Sequence, residues 1–118
     1  MATHIDFGKL GETLAEDFLV DKGYTIVHRN WRHSRYEIDI VALKNELPHF
    51  IEVKTRSSNE FGEPEESVSK KKIRFLLQAA DEFLFQNPQY TNFQIDILSI
   101  TIRFHEEPEY FFIEDVYL

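Results

Sequence analysis

The chain has 118 residues, which suits a single domain, and 42% of them are hydrophobic. This composition excludes a disordered chain, and the absence of cysteine excludes disulfide scaffolds, cysteine-ligated zinc sites and thiolate nucleophiles. No apolar run approaches the ~18 residues of a membrane span, and the first residues lack the basic flank and apolar block of a signal peptide. We therefore expect one domain over residues 1–118, cytoplasmic and without a membrane partner.

The net charge of −8 is distributed unevenly along the chain. Residues 29–74 contain 10 lysines and arginines against 8 aspartates and glutamates, whereas the rest of the chain contains 3 against 13. The total charge disfavours binding to nucleic acid, but the basic middle segment favours it if its side chains share one face. A solvated surface of mixed charge explains the same distribution without any ligand.

Hydrophobic periodicity predicts one helix and three strands in the first half of the chain. Leu10, Leu14 and Phe18 recur at helical spacing, and Gly23 follows as a helix stop. Two later segments of alternating, β-branched residues indicate strands joined by a turn. The predicted ranges are helix 9–21, strand 24–28, polar connection 29–34, strand 35–43, turn 44–48 and strand 49–56.

The second half is predicted to contain a long helix and two more strands. The Asn87-Pro88 pair ends the helical pattern, and the apolar run of the following strand indicates burial on both faces. The predicted ranges are loop 57–66, helix 69–86, strand 93–104, acidic turn 106–109 and strand 110–113. The sheet must be mixed, because the tight turn makes an antiparallel hairpin while the helical crossover favours a parallel pair.

Acidic and basic side chains are concentrated on the predicted hairpin. Residues two apart on a strand share a face, so Glu37 and Asp39 point the same way, as do Glu52 and Lys54. If the strands pair directly on either side of a four-residue turn, Asp39 falls opposite Glu52 and Glu37 opposite Lys54. This register would place all four charged groups within a few ångströms of one another.

Two carboxylates ~4 Å apart repel each other by about 4 kcal/mol at an effective dielectric constant near 20. Protonation of one group, pairing with cations or a metal ion between them relieves the repulsion. Mg²⁺ prefers oxygen ligands, and Lys54 beside it would position a water or stabilise charge on a phosphate. The set therefore has the composition of a phosphodiesterase site. A surface ion-pair cluster, with Lys54, Arg35 and Arg56 neutralising the acids, is the simpler alternative.

Glu12 is a further acidic candidate on the first helix. It lies at about 200° around the helix from Leu10, at the margin of the apolar stripe, where a side chain reaches the edge of the sheet. A solvated helix acid is the alternative interpretation.

Two basic stretches flank the hairpin. Residues 70–74 open the second helix with four cations, which form either a solvated helix end or a phosphate clamp. In the other stretch Arg29, Arg32 and Arg35 surround Trp31, which would stack on a base or fill the core. The histidines show no catalytic or metal-binding spacing, and we interpret them as surface or edge residues: His4, His28, His33, His49 and His105.

Several short motifs together resemble the YraN-type family of small bacterial proteins. They are Gly8-Lys9-Leu10-Gly11-Glu12-Thr13-Leu14-Ala15, Arg29-Asn30, Glu37-Ile38-Asp39, Phe50-Ile51-Glu52-Val53-Lys54-Thr55-Arg56 and Phe61-Gly62-Glu63-Pro64, followed by Val68 and Lys72. The resemblance covers nearly the whole chain and thins after Asp96. The family is grouped with restriction-endonuclease-like folds of the PD-(D/E)xK type, near the archaeal Holliday-junction resolvases.

The resemblance implies an α/β fold with a restriction-endonuclease-like α-β-β-β-α-β core, a mixed central sheet flanked by helices. It also implies an endonuclease that uses Mg²⁺ or Mn²⁺ to hydrolyse phosphodiester bonds in branched or structured DNA. Asp39 and Glu52 then correspond to metal ligands, Lys54 to the catalytic lysine and Glu12 to the acid from the first helix. Glu37 would hold a second metal ion or a water. The expected nucleic-acid contacts are Arg29, Arg32, Arg56, Lys70 and Lys72.

The chain departs from the family pattern at three positions. Tyr36 stands where the family usually has glycine, Gln94 where it usually has arginine, and Ile38 where the motif has its namesake proline. These departures affect the choice of substrate more than metal binding. An alternative function is a catalytically silent adaptor on the same fold that binds nucleic acid or protein, which the net charge of −8 favours. The oligomeric state is open, and a homodimer joined through an apolar strand is one option.

Overall fold

The computed structural model describes residues 7–57, 69–103 and 105–116. The predicted loop 57–66 and the motif residues at 61–64 and 68 lie, apart from Ser57, outside these ranges. Within the described ranges there are two helices and five strands. They are α1 (Phe7–Asp21), β1 (Thr25–His33), β2 (Tyr36–Lys44), β3 (Leu47–Arg56), α2 (Lys70–Gln86), β4 (Gln94–Thr101) and β5 (Glu109–Ile113).

Helix α1 ends where the sequence predicts and packs closely on the sheet. Gly23 has φ +94°, a left-handed conformation that glycine adopts without strain, and it turns the chain into β1. Gly11 is buried against β3, and a Cβ atom at this position would overlap Oγ1 of Thr55. Only glycine therefore allows α1 to come this close to the sheet.

Helix α2 is capped by side chains at both ends. Ser69 Oγ accepts a hydrogen bond of 3.1 Å from the backbone N–H of Lys72, as expected of an N-cap serine. At the other end, the side-chain amide of Asn87 donates to the carbonyl of Phe83 at 2.9 Å. The predicted bounds of this helix are confirmed.

The strands form one mixed sheet in the order β1-β2-β3-β4-β5. Strands β3 and β4 are parallel, joined by the crossover through α2, and the other neighbouring pairs are antiparallel. Ile40 and Ile51 pack in the cluster that α1 covers, whereas Val41 and Phe50 pack in the cluster that α2 covers. Since consecutive side chains on a strand point to opposite faces, the helices cover opposite faces of the sheet. The predicted architecture is confirmed.

Strand β1 differs from the prediction. It continues through the segment 29–34, which we expected to be a polar connection, as far as His33, and Trp31 pairs with Ile38 of β2. The prediction was wrong because β1 is an edge strand whose side chains are mostly exposed, so its sequence lacks hydrophobic alternation. A register shift between Ile26 and His28 disturbs the pattern further.

The hairpin register is the predicted one, with Leu43 opposite Pro48. The turn itself is tighter than expected, because Asn45 and Glu46 both have positive φ, 54° and 65°, as in a two-residue type I′ turn. Strand β4 is shorter than predicted, but nearly all of its residues are buried, which confirms burial on both faces. No helix in the described part of the chain is long and apolar enough to cross a membrane.

Candidate functional site

The hairpin register brings the carboxyl groups of Asp39 and Glu52 together. The ladder between β2 and β3 ends at Ile40 and Ile51, so these two acids come next along the strands. Asp39 Oδ2 accepts a hydrogen bond of 2.9 Å from the backbone N–H of Val53. The two carboxyl groups lie close enough that the charge of Asp39 raises the pKa of Glu52. The sequence-based prediction that Asp39 and Glu52 are adjacent is correct.

Burial raises the pKa of both acids. Glu52 is only 5% exposed, and burial followed by the nearby charge of Asp39 raises its pKa to about 7. The pKa of Asp39 is also raised, chiefly by burial, although the hydrogen bond from Val53 opposes the change. Since water is largely excluded, full ionisation of the pair is costly near neutral pH unless a cation approaches.

Two lysines from different elements contact the Glu52 carboxylate. Lys54 Nζ, on the same strand, lies 3.8 Å from Glu52 Oε2, and Lys72 Nζ, in the first turn of α2, lies 3.7 Å from it. Both lysine side chains are 37% exposed, so their ammonium groups stand between the buried acid and solvent. Lys72, which we expected to contact nucleic acid, therefore lies at the acid pair itself.

Helix α1 contributes Glu12 to the same region. Glu12 lines a cleft of about 200 Å³ together with Asp39, Lys54 and other residues of β3. The Asn30 side-chain amide donates to Glu12 Oε1 at 3.2 Å and holds the carboxylate in place. The structure thus gathers the four predicted catalytic residues from one helix and two strands.

The side-chain alternation of β2 is interrupted close to Glu37. Tyr36 and Ile38 pack in the cluster under α2 with Val41, while Ile40 packs under α1, so the alternation of β2 is interrupted at Asp39. Regular alternation would place Glu37 on the same face as Val41, and this is not observed, although Glu37 lies close enough to Asp39 for its charge to raise the pKa of that acid.

The basic residues predicted to contact nucleic acid lie in different environments. Arg32 donates two hydrogen bonds to Glu37 Oε2, at 3.1 Å from Nε and 3.0 Å from Nη2. Arg29 forms an ion pair with Glu16 of α1. Lys70 is exposed at the start of α2, and Arg56 is half-buried at the end of β3. Lys72 is the member of this predicted set that the structure places directly on the acid pair.

The donor set fits a divalent cation with few protein ligands. In the described residues no three Asp, Glu or His side chains are arranged to hold a metal ion. Mg²⁺, however, is commonly bound by one or two carboxylates together with waters and substrate phosphates, rather than by an all-protein cage. Asp39 and Glu52 supply two such carboxylates, and their raised pKa values reflect a cost of burial that the nearby lysines do not fully offset.

His49 is buried, which corrects its interpretation as a surface or edge residue. It is 5% exposed, and its Nδ1 lies 2.7 Å from Oδ2 of the fully buried Asp96. Asp96 also accepts hydrogen bonds from the Gln94 side chain, at 2.9 Å, and from the backbone N–H of Asp115, at 2.8 Å. Gln94, which we expected to affect substrate contacts, is therefore part of a buried polar cluster. Pro48 and Phe50 beside His49 were the available sequence signal for its burial.

Trp31 packs against the hydrophobic core under α2. Its ring packs edge-on against Phe83 of α2, with the ring centroids 5.4 Å apart. Of the two roles left open by the sequence, core packing is the one that this contact supports.

The chain matches the model of the Uncharacterised protein family UPF0102 over residues 11–100. It is 42% identical to a UPF0102 protein of Flavobacterium psychrophilum, across 85% of this chain and 84% of that protein. It is 52% identical to a UPF0102 protein of Phocaeicola vulgatus, across 71% and 69% of the two chains. A third relative, from Chloroherpeton thalassium, is 38% identical across 99% and 97%. The acid pair and both lysines lie inside the segment that the family model matches.

Proposed function

The chain belongs to the uncharacterised protein family UPF0102, the YraN-like family that its motifs resemble, and we propose that it is a metal-dependent endonuclease. The proposed substrate is branched or structured DNA, and the proposed cofactor is Mg²⁺ or Mn²⁺. The observation that carries the proposal is the buried carboxyl pair of Asp39 and Glu52 with two lysines on it. A purely structural ion pair needs neither a second acid at the same point nor raised pKa values.

Asp39 and Glu52 would hold the metal ion between them. Two buried carboxylates with raised pKa values suit a dication, because its charge would offset both of them when they ionise. When bound, it would polarise the scissile phosphate and lower the pKa of a bound water.

Lys54 and Glu12 would act on the phosphate and on the attacking water. Lys54 lines the cleft with Glu12 and reaches solvent, so its ammonium group would donate hydrogen bonds to a phosphate oxygen where negative charge develops. The Glu12 carboxylate, oriented by Asn30, would accept a hydrogen bond from the attacking water. Lys72 would keep positive charge beside Glu52 while the substrate is absent.

Cleavage assays with matched variants test the proposal. Branched and linear DNA substrates are incubated with the parent protein, Glu52→Gln and Lys54→Met in Mg²⁺ or Mn²⁺. We expect Glu52→Gln to abolish cleavage and Lys54→Met to lower its rate by about 10²–10³-fold, the usual effect of removing one charge-stabilising donor. Glu46→Gln, in the exposed turn of the same hairpin, is the control and should cleave like the parent. Unchanged cleavage by Glu52→Gln would contradict the assigned roles.

A second candidate is a binding module that uses the same fold without catalysis. Phe85 on α2 is 82% exposed, an unusual position for so large an apolar ring, and the net charge is −8. In this case the acid pair would bind no metal ion, and the thermal midpoint would be the same with and without millimolar Mg²⁺ or Mn²⁺.

A further inference from the structure

A basic groove lies along α2 beside the candidate site. Its volume is about 280 Å³, and it is lined by Arg35, Lys71, Arg74, Phe75 and Gln78. The three cationic side chains are exposed, and none of them forms an ion pair within the described part of the chain. In a chain with a net charge of −8, three cations along one groove are a local concentration of positive charge that suits an anionic ligand.

Two aromatic rings lie next to these cations. The Tyr36 and Phe75 rings are 5.5 Å apart, centroid to centroid, and tilted by 42°. The guanidinium of Arg35 lies over Tyr36 at 5.4 Å, so one cation already occupies a ring face. Cations that track a phosphate backbone beside rings that stack on bases are the usual composition of single-strand binding sites.

Lys72 links the groove to the carboxyl pair. Lys72 Nζ lies 5.4 Å from the centroid of Phe75 and 3.7 Å from Glu52, so one side chain contacts both. Arg35 and Gln78 also line the adjoining cleft, which is acidic because it contains Asp81 and Glu82. A polyanion would therefore lie at the basic end, which is the end nearest the candidate site.

We infer that this groove binds a single strand of nucleic acid, with a base on Phe75 and phosphates at Arg35, Lys71 and Arg74. The inference rests on the proposed function and names the substrate class of the same site. The substrate is a nucleic acid in which an unpaired strand leaves a duplex beside the scissile phosphate, such as a flap or a splayed junction arm. An intact duplex cannot use the aromatic side of the groove, because its base faces are stacked within the helix.

Fluorescence anisotropy in EDTA tests the inference independently of cleavage. The probes are a labelled oligothymidylate, an oligouridylate of equal length and a duplex of equal length. We expect both single strands to bind more tightly than the duplex, and the two single-strand arms show whether DNA or RNA is preferred. Phe75→Ala should weaken binding of the single strands by about 5- to 150-fold, the range for loss of one stacked base.

Arg74→Gln provides a second variant that does not depend on packing, because Arg74 is exposed. Each phosphate contact contributes about 0.7 to the slope of log binding constant against log salt for a single strand, so this variant should lower the slope by ~0.7. Lys44→Gln removes a cation that lies over Tyr24 outside the groove, and Phe85→Ala removes an exposed ring from the acidic end of the same helix. Both controls should bind like the parent.

The outcomes separate this inference from the proposed nuclease function. Equal binding of single strands and duplex, or parent-like binding by Arg74→Gln and Phe75→Ala, would overturn the groove assignment even if cleavage occurs. Single-strand binding that falls in both variants supports the assignment, and it does so whether or not any substrate is cleaved in Mg²⁺ or Mn²⁺.

Discussion

Replacing Glu52 with glutamine is expected to stabilise the protein at pH 8 when divalent metals are removed with EDTA. The glutamine amide cannot ionise, and its N–H groups can donate a hydrogen bond to the Asp39 carboxylate. The parent must instead hold a buried carboxylate next to a second acid at this pH. The variant should therefore lose activity and gain stability, which is the combination expected of a site residue that strains the fold.

The raised pKa of Glu52 sets the size and the direction of the change in stability with pH. The pKa changes from the ordinary 4.5 to about 7 in the folded protein, and each pKa unit corresponds to about 1.36 kcal/mol, so the linked free energy is ~3 kcal/mol. Because the folded state binds this proton more tightly than the unfolded state, the contribution is fully present below pH 4.5 and is lost as the pH rises to about 7. Above about pH 7 the contribution of Glu52 to the stability of the parent changes no further.

Thermal melts at pH 5, 6, 7 and 8 in EDTA measure this effect. The Glu46→Gln variant is the control, because it reports the titration of all groups other than Glu52. The thermal midpoint of Glu52→Gln minus that of Glu46→Gln should rise by a value on the order of 10 °C between pH 5 and pH 8. Most of the gain should occur below pH 7, where Glu52 ionises in the parent. A constant difference between the two variants, or a lower midpoint for Glu52→Gln at pH 8, would refute the account of the carboxyl pair.

Three further predictions concern metal binding and packing. Mg²⁺ or Mn²⁺ at 100 times its dissociation constant should stabilise the parent by about 2.7 kcal/mol and leave the melt of Glu52→Gln unshifted; equal shifts would exclude Glu52 as a ligand. Gly11→Ala should lower the free energy of unfolding by ~1–3 kcal/mol in urea titrations, because the new methyl group overlaps Thr55, and Thr55→Ala should rescue it. His49→Ala should cost about 3 kcal/mol, since buried Asp96 loses one of its hydrogen-bond donors, and a loss under 1 kcal/mol would contradict this role.

The elements that local sequence predicts well are those with strong caps, turns or periodicity. Gly23 and Ser69 delimit helices, and alternating residues on β2 and β3 predict the register that brings Asp39 beside Glu52. Strand β1 was missed because a solvated edge strand needs only backbone pairing and its polar side chains follow no pattern. His49 was missed because its neighbour Asp96 lies far along the chain, on β4.

The amino-acid order alone determined the succession of helices and strands and the chemistry available on the hairpin, because capping, turn formation and side-chain alternation act between near neighbours in the chain. Which charged groups meet was decided only by packing. Helix α2 carries Lys72 onto Glu52, the glycine contact of α1 brings Glu12 to the cleft, and the interrupted alternation of β2 separates Glu37 from Val41. Electrostatic interactions depend on distance and burial in space, and neither quantity is encoded in the spacing of residues along the chain.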